Sequence, residues 1–246
     1  MATTFASLDQ GDPAGRAAAA AERRFFGRLA LGLALFIVVA FAQFDARFVD
    51  VAALPWVAHA HALTMVAWLA LLVAQPILAR SGNVVLHRRL GWLATGLVAA
   101  IVVFALMVVT TALRANAVPP FFTPAYFLAL VVIEIGTFAA LVAWAVVRRG
   151  DREWHRRLMI AATFILLEPA LGRALPMPLL GDWGQWLSMV IQLGAIAILV
   201  GHDRRTLGRV HPATVVAAGA VVATHVAVTL AAMAPPVIAL ARGIAA

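Results

Sequence analysis

Several polar side chains fall inside long apolar stretches of the sequence, where a charge is most costly to bury. They are Glu134, Glu168, Arg173, Gln192 and His225. Ionisable residues inside membrane helices usually mark a binding site, a proton path or a helix contact, because lipid does not solvate them. We therefore treat these five residues as a polar membrane cluster and ask which chemistry they support.

The cluster is predicted to occupy one layer of the membrane. The depth of each residue is counted along its apolar stretch from the end that carries arginine or histidine, at about 1.5 Å per helical residue. These depths are roughly 21 Å for Glu134, 17 Å for Glu168, 18 Å for Gln192 and 21 Å for His225. By the same measure, His61 and Arg173 lie further out, at roughly 28 Å and 24 Å. The expected site is therefore in the outer half of a helix bundle.

A buried glutamate needs a cation, hydrogen bonds or a proton. Arg173 is the obvious cation for Glu168, but five residues separate them by about 140° on an ideal helix, which is poor pairing geometry. Pro169 follows Glu168 directly, and a kink there would rotate the two together. Two alternatives stay open: one glutamate keeps its proton and relays protons, or neutral glutamates only join helices.

The histidines offer a second chemistry, axial ligation of haem b. His211 and His225 are 14 residues apart, the spacing that two haems stacked across a membrane need on one helix. His61 and His225 are the outer candidates, and His87, His155 and His211 are the inner ones. The inner histidines stand among arginines, so an alternative to haem ligation is open for them. In that alternative the sequence HRRL anchors its turn at the membrane surface by binding lipid phosphates.

Composition decides the class of protein. The chain has 246 residues, of which 64% are hydrophobic and 12% charged. Soluble domains have roughly 45–50% apolar and about 25% charged residues, so neither a soluble enzyme nor a disordered chain fits. There is no cysteine, which excludes disulfides and thiolate metal sites. The net charge of +8 comes from arginines in short clusters, typical of membrane loops and not of a nucleic-acid surface.

The pattern predicts an all-α integral membrane bundle of seven transmembrane helices. Each expected span is close to the roughly 20 apolar residues that cross a bilayer. The spans are 27–44, 54–79, 90–113, 121–147, 157–180, 184–201 and 213–240. Residues 1–24 are expected to form a disordered cytoplasmic tail, and residues 25–246 the transmembrane domain.

Arginine counts predict the orientation. Of the 19 arginines, 15 flank one set of span ends and 4 flank the other. The positive-inside rule then gives a cytoplasmic N-terminus and a periplasmic C-terminus in a bacterial inner membrane, with anionic phospholipids at the arginine clusters. HRRL occurs at 87–90 and again at 155–158, so the spans would pair as a repeat of three hairpins turning on the cytoplasmic side.

One segment resembles a known family. His61, Trp68 and Gln75 recur every seven residues, and HRRLG follows at 87–91. This order of a membrane histidine, a glutamine and an HRxLG turn is similar to an uncharacterised, domain-of-unknown-function family of bacterial multi-pass membrane proteins. The family's second turn resembles HRRLM at 155–159, with Arg173 18 residues after its histidine. The resemblance covers about 57–175 and implies a multi-pass fold without an established reaction; Leu158 and Ala161 depart from the pattern.

The sequence leaves three functions open. The first is a non-catalytic scaffold or assembly protein, in which the buried polar groups only join helices. The second is a haem-binding or redox membrane protein with the histidine ligands named above. The third is a small proton-coupled transporter with Glu134, Glu168, Arg173 and His225 along its path. No catalytic residue and no metal site are predicted.

Overall fold

The computed structural model describes residues 13–246, and this range is helical almost throughout. The helices are α1 (Pro13–Phe48), α2 (Trp56–Arg80), α3 (Val84–Arg114), α4 (Pro124–Val147), α5 (Arg152–Ile165), α6 (Leu167–Ala174), α7 (Met177–Leu180), α8 (Gly184–Leu207), α9 (Pro212–Met233) and α10 (Pro235–Ala245). Two 3₁₀ turns, Val51–Ala53 and Gly181–Trp183, join them, and residues 13–246 contain no β-strand. The all-α prediction is confirmed.

Within these residues, six helical segments have the length and composition to cross a membrane. They are Gly15–Phe48, Trp56–Arg80, Val84–Arg114, Pro124–Val147, Met177–Leu207 and Pro212–Met233. Large apolar side chains such as Val39, Leu63, Leu93 and Leu230 point away from the bundle and are more than half exposed. A surface of this kind is stable in lipid and not in water, so the segments are consistent with a multi-pass membrane protein.

The fifth predicted span, 157–180, is not one long helix. α5 has 14 residues, α6 has 8 and α7 has 4, with a break at Leu166 and another before Met177. Pro169 contributes to the first break because it has no N–H to donate to the Ile165 carbonyl. Between Arg157 and Leu171 almost every side chain is buried by the other helices, so this broken segment lies at the centre of the bundle.

The ends of the chain also differ from expectation. α1 begins at Pro13, so residues 13–24 of the predicted disordered tail are helical. The rest of that tail, residues 1–12, lies outside the described residues. The last predicted span, 213–240, is divided at Ala234, where α9 ends and the Pro-Pro pair at 235–236 opens α10.

Side-chain caps fix the turns that carry the arginines. Asn83 accepts a hydrogen bond from the Leu86 N–H at the start of α3, and Asp151 accepts from two N–H groups at the start of α5. Gly82 and Gly208 have φ of 78° and 68° just after α2 and α8, a conformation that glycine adopts without strain. The arginine-rich turns at 80–89, 148–157 and 204–209 lie at one end of the bundle, where Arg157 pairs with Asp203 and Arg156 pairs with Glu22 of α1, and we name this end the basic end.

Candidate functional site: two buried carboxyl groups at a helix break

The break between α5 and α6 lies inside the bundle and is held by a glutamine from α8. The Gln192 Nε2 donates to the Phe164 carbonyl at 2.9 Å and lies 3.5 Å from the Ile165 carbonyl. Gln192 therefore adds a side-chain donor at the break, mainly to the Phe164 carbonyl, and it lies at the limit of hydrogen-bond distance from the Ile165 carbonyl that Pro169 cannot serve. This explains why a fully buried amide is placed at this depth, because an unpaired carbonyl in a bundle core is costly.

The orientation of the Gln192 amide determines which ring nitrogen of His225 carries the hydrogen. Because the Gln192 amide nitrogen faces the carbonyls, its Oε1 faces His225 and can only accept. The His225 Nε2 lies 2.7 Å from this oxygen, so it carries the hydrogen and donates. Nε2 is thus engaged within the bundle and does not present the free lone pair that the predicted outer haem ligand would need.

Glu134 and Glu168 form the centre of the candidate site, which we name the carboxyl pair. Glu134 comes from α4 and Glu168 from the first turn of α6, and their residues are 6% and 2% exposed. The two carboxyls are close enough to interact electrostatically. Among residues 13–246, neither carboxyl has a hydrogen-bond donor. Two like charges in a core of low dielectric cannot both persist unaided, so the pair must hold a proton or a cation.

Tyr126 lies near the carboxyl pair and connects it to α8 and α9. It interacts electrostatically with both Glu134 and Glu168, and its hydroxyl donates to the Gln185 Oε1 at 2.9 Å. The single hydroxyl hydrogen of Thr229 of α9 can be donated to the His225 carbonyl at 2.9 Å or to the same Gln185 oxygen at 3.2 Å. The sequence analysis did not find Tyr126 and Gln185 as site residues; both were overlooked because they stand near span ends, where aromatic and polar residues are common.

Arg173 does not neutralise Glu168 in the predicted way. The two interact electrostatically, but the described residues contain no salt bridge between them. The break precedes Glu168, so both residues lie on α6 and no kink rotates one toward the other. Arg173 instead donates from Nη1 to the Pro169 carbonyl at 3.0 Å, and its Cζ lies 3.9 Å from the centre of the Phe41 ring.

His61 of α2 belongs to the electrostatic surroundings of Arg173. The two side chains interact electrostatically, and the His61 Nδ1 is a buried atom without a hydrogen-bond partner in the described chain. The structure shows no contact between His61 and His225, the outer haem pair of the sequence analysis. Two further polar atoms on the same face of α2, the Trp68 Nε1 and the Gln75 Oε1, are also buried and unpartnered.

At the basic end, Arg157 and Asp203 form a fully buried ion pair that the sequence analysis missed. Both side chains are 0% exposed. Asp203 accepts from the Arg157 Nε at 3.0 Å, from the His211 N–H at 3.0 Å and from the Thr214 hydroxyl. Arg157 also pairs with Glu153. The only sequence signal was an acidic residue within an arginine cluster at the end of an apolar stretch.

The three inner histidines have different roles. The His155 Nδ1 lies 2.8 Å from the Ala145 carbonyl, so it donates, and burial lowers the pKa of His155. The ring is therefore neutral, with Nε2 as the free nitrogen. His87 lies within electrostatic range of His155, and its Nδ1 is buried without a partner among residues 13–246. His211 instead caps α9, because its Nδ1 accepts from the Ala213 N–H at 3.1 Å.

Together, an apolar exterior and six long apolar helices are consistent with a multi-pass membrane protein, and a buried carboxyl pair lies at the helix break in its mostly apolar core. His61 and Glu168 each lie within electrostatic range of Arg173, whereas His225 is hydrogen-bonded to Gln192. No protein family model, curated protein or solved structure matches the chain. The functional argument therefore depends on the site alone.

Proposed function

We propose that the protein is a small proton-coupled transporter whose proton site is the carboxyl pair. One observation carries the proposal: Glu134 and Glu168 are buried within electrostatic range of each other at a helix break, and neither carboxyl has a salt bridge or a hydrogen-bond donor among the described residues. A group that only joins helices is expected to be hydrogen-bonded. Interrupted helices with acidic side chains near the membrane midplane are typical of ion and substrate sites in secondary transporters.

Seven crossings fit this proposal, with α5 and α6 together as the fifth. Arg156 at the start of α5 pairs with Glu22 of α1, and the carbonyl of Arg173 near the end of α6 accepts from the Gln43 side chain of α1. The 21 residues from Glu22 to Gln43 span about 31 Å of helix. This matches the roughly 30 Å of hydrocarbon in a bilayer, so the broken segment extends from one side to the other.

The proposed orientation places the basic end in the cytoplasm of a bacterium, against anionic lipid of the inner membrane. The exposed arginines of this end support it through the positive-inside rule. A hairpin repeat is supported by the local geometry of the two HRRL turns. In each, a side-chain cap stands four residues before the histidine, and the histidine N–H donates to the carbonyl of that cap, Asn83 for His87 and Asp151 for His155.

The break provides the flexibility that transport requires. Gln192 holds the freed carbonyls through side-chain contacts, which can be exchanged more readily than a continuous helical ladder. A proton arriving at Glu168 removes its attraction to Arg173 and its repulsion of Glu134. The net charge around the carboxyl pair and Arg173 therefore depends on whether a proton is bound. A conformational change can be coupled to the proton only if its two states differ in such an interaction.

Proton flux into liposomes tests the proposal. The purified protein is reconstituted with a pH-sensitive dye inside, and a potassium diffusion potential drives protons in the presence and absence of phosphate and membrane-impermeant dicarboxylates. We expect flux above that of protein-free liposomes, and its loss in Glu168→Gln and Glu134→Gln. Glu153→Gln is the matched control, because Glu153 lies at the basic end outside the carboxyl pair, and should retain flux.

Two results would overturn the proposal. One is wild-type flux equal to that of protein-free liposomes under every condition. The other is unchanged flux in both glutamate variants. If the variants instead lose only thermal stability, the carboxyl pair joins helices and the scaffold alternative is correct.

A second candidate, haem binding, is favoured by one specific arrangement. His155 is held by a carbonyl at Nδ1 with Nε2 free, which is how protein groups commonly orient a histidine ligand, and His87 lies nearby on another helix. This candidate uses the inner pair only. A Soret band after haem is supplied to cells, lost in both His87→Ala and His155→Ala, would establish it; absence of any Soret band would exclude it.

A further inference from the structure

A second group of unsatisfied polar atoms lies at the end of the bundle opposite to the basic end, between α1, α2 and α6. It consists of Arg173 and His61, which interact electrostatically across this space. The Arg173 Nε and the His61 Nδ1 are both buried, and neither has a hydrogen-bond partner in the described residues. Their helices, α2 and α6, both pack against α1, and two buried nitrogens without partners in one such region are unusual because each unpaired buried polar group costs free energy.

The surrounding residues hold the guanidinium in place. The Gln43 side chain fixes the backbone of Arg173 through a hydrogen bond of 2.9 Å to its carbonyl. The Pro169 carbonyl accepts from Nη1 at 3.0 Å, and the Phe41 ring lies 3.9 Å from Cζ. These contacts leave Nε unpaired. A guanidinium fixed in this way is prepared to bind a planar or tetrahedral oxyanion, whose oxygens accept from adjacent N–H groups.

We propose that Arg173 and His61 bind the oxyanion group of a ligand, a carboxylate or a phosphate, that enters from the end opposite to the basic end. His61 contributes an N–H when its hydrogen is on Nδ1. The inference rests on the proposed function for its physiological meaning, since it names the chemical class that would travel with the proton. The binding site itself stands on the unpaired atoms of these two residues.

Acidic neighbours explain how the proton and the anion would be coupled. Glu168 and Asp45 both interact electrostatically with Arg173, and Glu134 interacts with Glu168. An incoming anion competes with these carboxylates for the same guanidinium. Protonation of Glu168 removes one competitor, so a proton in the carboxyl pair strengthens anion binding, and by linkage the anion strengthens proton binding.

Direct binding to the purified protein tests the inference. Full-length protein in neutral-lipid nanodiscs is titrated with phosphate, with succinate and with formate by isothermal calorimetry. In a separate arm, nanodiscs containing phosphatidylglycerol test whether the oxyanion belongs to a lipid headgroup. Binding in the first arm identifies a soluble ligand, whereas protection only in the second, measured as a rise in melting temperature, identifies a lipid.

The variants separate a binding role from a structural one. Arg173→Gln and His61→Phe should weaken binding at least about tenfold, the factor that 1.4 kcal/mol represents. Arg47→Gln is the matched control, because it removes an exposed arginine near the same end of α1 and should leave binding unchanged. Asp45→Asn should tighten binding because it removes a competing carboxylate. A purely structural role for Arg173 does not explain that gain.

The outcomes distinguish this inference from the proposed function. No binding in either arm, or equal loss with Arg47→Gln and Arg173→Gln, overturns the oxyanion site even if the glutamate variants lose proton flux. Oxyanion binding that depends on Arg173 and His61, together with unchanged flux in the glutamate variants, supports the site and overturns the proton-coupled transporter.

Discussion

The two buried polar regions of this protein differ in how far their charges are satisfied. At the basic end, Arg157 and Asp203 are fully buried, and Asp203 accepts hydrogen bonds from three residues. In the carboxyl pair, Glu134 and Glu168 lie within electrostatic range of each other, and neither has a hydrogen-bond donor from residues 13–246. The first arrangement stabilises the contact between α5, α8 and α9. The second is stable only with a proton or a cation, so it is suited to exchange.

Removal of Asp203 should have the largest effect. Asp203→Ala leaves the fully buried Arg157 with only the partly exposed Glu153 as an acidic partner, and breaking one side of a buried ion pair typically costs about 3–5 kcal/mol. We expect poor folding, or a large fall in the free energy of unfolding measured by denaturation in mixed micelles. Combined replacement of both residues, Arg157→Met with Asp203→Leu, should recover much of that loss. Wild-type stability in Asp203→Ala would contradict this description of the basic end.

Replacement of Gln192 should have the second-largest effect on stability. Gln192→Leu keeps a similar volume but removes the side-chain donor at the Phe164 carbonyl, which then keeps only the Leu166 N–H, and it leaves the His225 Nε2 without its partner. An unsatisfied buried group costs about 1–3 kcal/mol, so unfolding should become easier by an amount in this range. Hydrogen exchange should increase in α6 more than in α2. Unchanged exchange in α6 would show that Gln192 does not hold the break.

Neutralisation of one member of the carboxyl pair should not lower the free energy of unfolding appreciably. Glu168→Gln keeps the shape of the side chain and removes a like-charge interaction with Glu134, so the free energy of unfolding should stay within about 1 kcal/mol of the wild type or rise. Proton flux should nevertheless be lost. A fall in stability as large as that of Asp203→Ala would mean that Glu168 is a structural residue and that the comparison fails.

The partly exposed Glu153 at the basic end should contribute least to the free energy of unfolding. Glu153 is partly exposed and pairs with Arg156 and Arg157, and exposed pairs contribute about 0–1 kcal/mol. Burial would raise the pKa of Glu153, but the hydrogen bonds and charges of the two arginines outweigh it and lower the pKa. Its small contribution is therefore present at neutral pH and is lost as the pH falls below the ordinary range of a glutamate. Glu153→Gln should remove this acid dependence.

The sequence predicted the class of fold and the depth of the polar residues, but not their pairing. Long apolar stretches and arginine-rich turns give helix positions because lipid imposes a simple length rule. Which side chains meet depends on how the helices pack, so Gln192 was expected near Glu168 but is bonded to His225 and to two carbonyls. The break at Leu166 was only hinted at by Pro169, and Asp203 was hidden among arginines.

Infrared difference spectroscopy of the protein in membranes tests the central claim most directly, because it detects protonated carboxyl groups. The account predicts a carboxylic acid band that changes as the pH is varied and is absent from Glu134→Gln with Glu168→Gln. It should persist in Glu153→Gln. A spectrum without any band that depends on Glu134 or Glu168 would show that the carboxyl pair does not exchange a proton and would contradict the account.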